Sequence, residues 1–481
     1  MKISRSLLAI FLSLLLLNLV SPSGEARAQG RTTSNFDSDW LFFKGDAEGA
    51  EKPGFVDADW RKLNVPHDWS IEGPFDAKNP TGGAGGFLPS GVGWYRKHFT
   101  VGANKGKRRF FIEFDGVMAN SDVWLNGVHI CRRPYGYVSF GEELTDQIKL
   151  GQDNVIAVRA DTSAQPASRW YTGAGIYRHV RLIETDLSYI EKWATFVSTP
   201  SIAANEATVQ ISTTFWNLGT KRTVSFEISL IDGAGKTVAT AKVPGSLIIA
   251  GDELAIKKDI KIKIPKLWTL ESPKMYRAEI KVIENGKVID TDNVPFGIRE
   301  FHFDPNTGFW LNGKNFKIKG ACLHVDGSAF GAAVPLAVWE RRLNELRKLG
   351  VNAIRTAHDP PAPEFLDLAD RMGFLVMEEL FDQWTLGKNP FDNHLYFAEW
   401  AKADVRDTVR RDRNHPSIII YSAGNEIRDN HADQEKAKQT LQGLVNTFHE
   451  NDPTRPVTQA LFRPNIEGAN DYNNGLAEIW P

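Results

Sequence analysis

At 481 residues the chain exceeds one ordinary domain, and length alone gives a prior of about three. A formal charge of −2 at pH 7, with no basic stripe and no long like-charge run, excludes the electrostatic footprint of a nucleic-acid binder and suits a neutral or weakly charged ligand. Trp and Phe are plentiful, at 14 and 28; such rings can stack on sugars, though in a β-rich chain they are more often core.

Lys2 and Arg5 precede the apolar run Leu7–Val20, and Ala26-Arg27-Ala28 has the small-x-small pattern of a cleavage site. The reading is a signal peptide over residues 1–28 and export to the periplasm or beyond the cell. The run is short for a membrane span, and no later stretch is long and apolar enough, so no membrane association is expected after cleavage. Cys131 and Cys322 fall in different predicted domains, which argues against a disulfide framework. Neither has the clustered partners of a metal site. No motif requires a cofactor, no ligand set has spacing diagnostic of a divalent metal, and no pattern reports the oligomeric state.

Residues 29–186 alternate short strands with turns. Arg109–Phe114 places Phe110, Ile112 and Phe114 on one face, Asp122–Ile130 carries an Asn126-Gly127 hairpin signal, and Asn154–Ala160 continues the alternation. The expectation is a β-sandwich, with its tryptophans in the core except Trp170-Tyr171, which could reach a neighbouring site. Residues 187–300 form a second β-rich block. Thr208–Thr214, Val224–Ile231 and Met275–Val282, with an Asn285-Gly286 turn, suit a small immunoglobulin-like sandwich.

From residue 301 onward the period changes. Lys317–Cys322 reads as a strand, and Trp339, Leu343, Leu346 and Leu349 mark one helical face. Asn352–Thr356 is a second strand, and a helix runs from Pro363 to a Gly373 cap. Phe374–Glu378 is a third strand, Phe397–Asp412 a helix and Ser417–Tyr421 a fourth strand. Ala437, Leu441, Leu444, Val445 and Phe448 stripe the next helix, and Pro456–Leu461 is a fifth strand. Unidirectional strand–helix repetition predicts a parallel (β/α)8 TIM barrel, incomplete over residues 301–481. A doubly wound sheet is the alternative, but no phosphate-binding glycine fingerprint follows the first strand.

Polar residues collect where each strand should finish: His324 and Asp326, Arg355 and His358, Glu379 and Asp382, and Asn425 with Glu426. Barrel geometry would bring these sequence-distant groups into one cavity. Singly, each has a structural explanation as an ion-pair partner, turn residue or helix cap. Together they are placed for acid/base work by Glu426.

The run Arg413–Glu426 resembles the acid/base segment of glycoside hydrolase family 2, the β-galactosidase family. Ser168–Arg178, Gly320–Asp326 and Asn352–Pro361 resemble the same family, and the likeness runs from about Phe36 to the last residue. It implies an N-terminal jelly-roll sandwich, an immunoglobulin-like sandwich and a catalytic barrel. It also implies a retaining β-glycosidase, in which two carboxyl groups roughly 5–5.5 Å apart act as acid/base and nucleophile. On this resemblance Glu426 is the general acid/base and Asn425 donates to the sugar 2-hydroxyl. Arg355 orients the nucleophile, while His358, Asp326 and His324 bind sugar hydroxyls. His394, in Asn393–Phe397, resembles a family segment near the substrate; a surface histidine is an equal reading. Tyr421, Val325 and Asp359 depart from the usual family residues.

In the family the nucleophile is a Glu after the seventh barrel strand. The chain reads as reaching only the fifth, and neither Glu467 nor Glu478 follows a buried strand. The sequence therefore reads as the front part of a longer enzyme, with no turnover expected from these residues alone. The carbohydrate expected is a terminal β-galactoside, on the look of the Asp359–Glu364 loop. A β-glucuronide or β-mannoside is the alternative within the family, and a non-catalytic glycan-binding product the alternative outside it.

Overall fold

The computed structural model describes residues 30–103 and 108–460. The predicted signal peptide, and the late glutamates Glu467 and Glu478, lie outside them. No helix among the described residues is long and apolar enough to cross a membrane.

The first part is a sandwich of two antiparallel sheets. One has four strands, in the order 32–35, 180–186, 108–114 and 140–143; the other has six, in the order 61–63, 40–44, 92–100, 153–161, 121–125 and 128–133. Asn126 and Gly127 both take positive φ, 53° and 87°, as a two-residue hairpin turn requires. The second part is another sandwich, whose central strand Glu206–Asn217 buries every second residue along its whole length. That alternation turns Val209, Ile211 and Phe215 into the core and leaves the opposite face to solvent.

The third part holds five parallel strands: β1 (Gly320–Leu323), β2 (Ala353–Thr356), β3 (Leu375–Glu379), β4 (Ile418–Asn425) and β5 (Val457–Ala460). They pair in sequence order without reversal. This is the winding of a barrel, not of a doubly wound sheet, where the order turns back on itself. Helices α1 (Leu336–Lys348), α2 (Pro363–Met372) and α3 (His394–Asp412) follow β1, β2 and β3. The short α4 (Asp429–Ala432) and α5 (Gln434–Asn451) follow β4. β4 is buried at every position, as a strand covered on both faces must be. A three-stranded hairpin sheet (301–304, 308–311 and 314–316) packs Phe309 and Leu311 beside Ala353, Leu375 and Ile419.

Two elements differ from expectation. Lys317–Lys319 is not strand; Ile318 is exposed, and the segment is tied down by Asn352, whose side chain accepts from Lys319 N and donates to Lys317 O. The pairing that defines β1 begins only at Gly320. Leu349 does not join the apolar face of α1: it lies just past the last turn and is 81% exposed, whereas Trp339 and Leu343 are buried. Smaller shifts put Glu379 inside β3 and extend β4 to Asn425.

Candidate active site

β4 delivers Asn425 as its last residue, and the chain then turns sharply. Glu426 has φ of 47°, a left-handed conformation that side-chain-bearing residues adopt at a free-energy cost. Its amide is held by Ala460 O at 2.8 Å, so the turn is fixed by β5. The side chain is 44% exposed, at the C-terminal mouth of the strands.

Around it a continuous polar network joins three strand ends. The Glu379 carboxylate, fully buried, accepts from Arg355 Nη2 at 2.7 Å, His358 Nδ1 at 2.8 Å and Ser422 Oγ at 2.9 Å. Arg355 Nη2 also donates to Asn425 Oδ1 at 2.8 Å, and Asn425 Nδ2 donates to Asp382 Oδ1 at 2.8 Å. The Asn425 amide is thereby oriented from both sides. Asp382 accepts from Arg169 Nη2 at 2.6 Å and from Lys388 Nζ at 2.7 Å. Burial alone would raise the Asp382 carboxyl, but Arg169, Lys388 and Asn425 hold it below the usual carboxylate range.

Arg169 comes from the first sandwich. Its Nη1 reaches Glu426 Oε2 at 3.4 Å, and its guanidinium stacks over Trp170. Trp170 in turn packs against His324 and His358, with ring centroids 4.9 and 5.4 Å away. Trp170 therefore does reach the mouth of the parallel strands. Burial, then the neighbouring His358, lower His324 below the ordinary imidazole range.

Arg355, His358, Asn425 and Glu426 thus converge, and His324 joins them through ring contacts. Two residues do not join the network. Asp326 accepts from Ser328 N at 3.2 Å in a turn of its own. His394 opens α3 and bonds Asp392 at 2.6 Å; Asp392 also accepts from the amides of Lys388 and Asn389, so this pair shapes the loop that carries Lys388. Sequence reasoning missed Lys388 and Arg169. Lys388 sits in a polar, Pro-containing loop with no period to mark it; Arg169 stood beside Trp170 in a segment already singled out.

One group among the described residues has metal-like spacing, Asp367, Asp370 and His415. It lies at the other end of the strands, because His415 precedes β4. Burial disfavours a charged His415, yet Asp370, bonded to it at 2.6 Å, pushes it up to about 9. In this structure His415 and Asp370 face one another as a hydrogen-bonded ion pair.

A model described as "Glycosyl hydrolases family 2, TIM barrel domain" matches residues 305–465, and one described as "Glycosyl hydrolases family 2" matches residues 188–299. Beta-galactosidase BoGH2A of Bacteroides ovatus is 41% identical over 492 residues, covering 96% of this chain and 57% of that protein. A putative beta-glucuronidase of Formosa agariphila is 37% identical over 450 residues, covering 92% of this chain and 41% of that one. Among solved structures, a glycosyl hydrolase family 2 member from Bacteroides cellulosilyticus superposes with a TM-score of 0.88 at 36% identity, over 92% of this chain and 57% of that chain. A beta-glycosidase from Bacteroides vulgatus gives a TM-score of 0.84 at 36% identity, over 93% and 58%. The chain spans about half the length of the curated relatives it matches.

Proposed function

Because the chain belongs to glycosyl hydrolase family 2, we propose that it carries the sugar-binding and acid/base part of a retaining β-glycosidase site, with terminal β-galactosides as substrate. The observation that carries this reading is the oriented amide of Asn425, bridged between Arg355 and Asp382 beside an accessible Glu426. A retaining mechanism needs a carboxyl that protonates the leaving oxygen and later activates water, and a donor at the 2-hydroxyl whose hydrogen bond strengthens in the transition state. Glu426 fits the first role and the amide of Asn425 the second. Glu379 is not a rival for the acid: it is enclosed, and three donors occupy it.

A galactoside is preferred because the 41% identical relative is named a beta-galactosidase. The second reading, a β-glucuronide, draws support from relatives named beta-glucuronidase and from cations in the mouth network, among them Arg169 and Lys388. Both, however, already face Asp382. Export rests on Lys2, Arg5, the apolar run Leu7–Val20 and the Ala26-Arg27-Ala28 pattern.

Calorimetric titration of the chain with thio-linked β-galactoside, β-glucuronide and β-mannoside tests the proposal. The galactoside should bind most tightly, and Asn425→Ala should weaken it by about tenfold or more, the worth of a buried hydrogen-bonded contact. Tighter binding of the glucuronide would favour the second reading. Galactoside binding that ignores Asn425→Ala would place the sugar elsewhere and point to a non-catalytic glycan binder.

A further inference from the structure

The carbonyl of Asn425 and the amide of Glu426 belong to one peptide unit, the one that leads into the left-handed turn at Glu426. Its amide end is bonded to Ala460 O at 2.8 Å. Its carbonyl end accepts from Lys388 Nζ, also at 2.8 Å. The same ammonium donates to Asp382 Oδ1 at 2.7 Å, and that oxygen takes the Asn425 side-chain amide at 2.8 Å. Lys388 thus holds Asn425 twice, at the backbone directly and at the side chain through Asp382.

Neutralising Asp382 does not by itself call for this lysine. Arg169 already forms a two-pronged ion pair with the carboxylate, Nε to Oδ2 at 3.1 Å and Nη2 to Oδ1 at 2.6 Å. An ammonium whose side chain is only 4% exposed is costly to desolvate and carries three donors that need acceptors. Lys388 reaches the carbonyl leading into Glu426, a contact that Arg169 does not make. The loop that carries it is stitched to the segment just past Glu426. Asp429 accepts from the amides of Thr385 and Leu386 at 3.0 and 3.1 Å, and Arg428 Nη1 donates to Gly387 O at 3.0 Å.

We propose that Lys388 is a positioning residue for the glycosidase reaction: it holds the peptide between Asn425 and Glu426 and so orients the 2-hydroxyl donor and the acid/base carboxyl as one unit. The inference rests on the roles given above to Asn425 and Glu426. A peptide plane turns through ψ of the residue before it and φ of the residue after it. With the carbonyl released, the Ala460 bond is left to oppose the return of Glu426 to the negative φ that residues bearing a Cβ favour. Such a return would carry the Glu426 carboxyl away from the sugar.

A double-mutant cycle tests this, read by calorimetric titration of the 481-residue chain with whichever thio-linked β-galactoside or β-glucuronide binds the parent more tightly. Lys388→Met should weaken binding about tenfold in the parent, the worth of a hydrogen bond from a charged donor. In the Asn425→Ala background the same substitution should cost less than about threefold, because part of what Lys388 orients is already gone. A role confined to stability would weaken binding equally in both backgrounds, and that result would overturn the proposal. Thermal melting shows which variants are folded at the titration temperature; if Lys388→Met is not, the uncharged Lys388→Gln replaces it in the cycle. Loss of affinity in Asn425→Ala with none in the Lys388 variant would sink this inference alone. No sugar binding, or binding indifferent to Asn425→Ala, would sink the reading of the site and this inference with it.

Discussion

Asp382 is the residue on which the mouth of the site depends. It is the common acceptor for Arg169, Lys388 and Asn425, and the Lys388 side chain is even more buried than that of Asp382, at 4% and 6% exposure. Removing one member of a buried pair leaves the other charge unmet, which costs about 3–5 kcal/mol. Asp382→Asn should therefore lower stability by about that amount in urea denaturation. Lys388→Met in the same background should recover part of the loss, since no buried ammonium is then stranded. Sequence reading reached Asp382 because it follows a predicted strand. It could not reach Lys388: a lysine in a loop has no periodicity, and only the fold of residues 388–394 around Asp392 turns it inward. Asp326, also a strand-end carboxylate, accepts from Ser328 N in a local turn rather than joining the bonds around Glu379 and Asp382.

At the scale of elements, periodicity and punctuation made the strands and helices of the third part legible. α2 runs from Pro363 to Met372 with Gly373 as its left-handed cap at φ of 70°, as the sequence indicates. What the sequence did not carry is why that glycine admits no substitute: a Cβ there would lie 2.2 Å from Leu270 O of the second sandwich. Gly373→Ala should destabilise by more than about 1 kcal/mol. Gly350→Ala is the control, because Gly350 has φ of 82° but nothing within 4 Å of the added atom; it should show the smaller loss. The turn into β4 makes a pH prediction. His415 is raised from 6.5 to about 9 by Asp370 despite its burial. Its folded-state affinity for the proton exceeds the unfolded one, so its contribution is complete below pH 6.5 and disappears as pH rises through 9. The full contribution is about 3 kcal/mol. Chemical denaturation of the parent and of His415→Asn across pH 6–10 should show a gap that narrows as pH rises; a gap that is constant or widens would contradict the ion pair.

Across the whole molecule the three parts are bolted together by arginines. Arg133 of the first sandwich pairs with Asp404 and Asp407 of α3, at 2.7 and 2.9 Å. Arg178 donates to Pro360 O at 2.9 Å. Arg299, from the end of the second sandwich, donates to Pro416 O and Ile418 O, and Arg413 returns bonds to Trp193 O and Ala194 O. One apolar cluster runs from Met118, Tyr135 and Tyr177 into Leu366, Trp384 and Tyr421, so the first sandwich shares a core with the parallel strands. This packing allows Arg169 and Trp170 to complete a site whose other members lie more than 150 residues further along the chain. The docking was not legible in the sequence, because alternation fixes which face of a strand is buried but not which neighbour buries it.

The direct measurement is a crystal structure of the 481-residue chain with a thio-linked β-galactoside. The expected result places the Glu426 carboxyl about 2.6–3.2 Å from the linking sulfur and Asn425 Nδ2 within hydrogen-bond distance of the 2-hydroxyl, with the sugar beside Trp170. A galactoside bound on another surface, with Glu426 left in solvent, would contradict it.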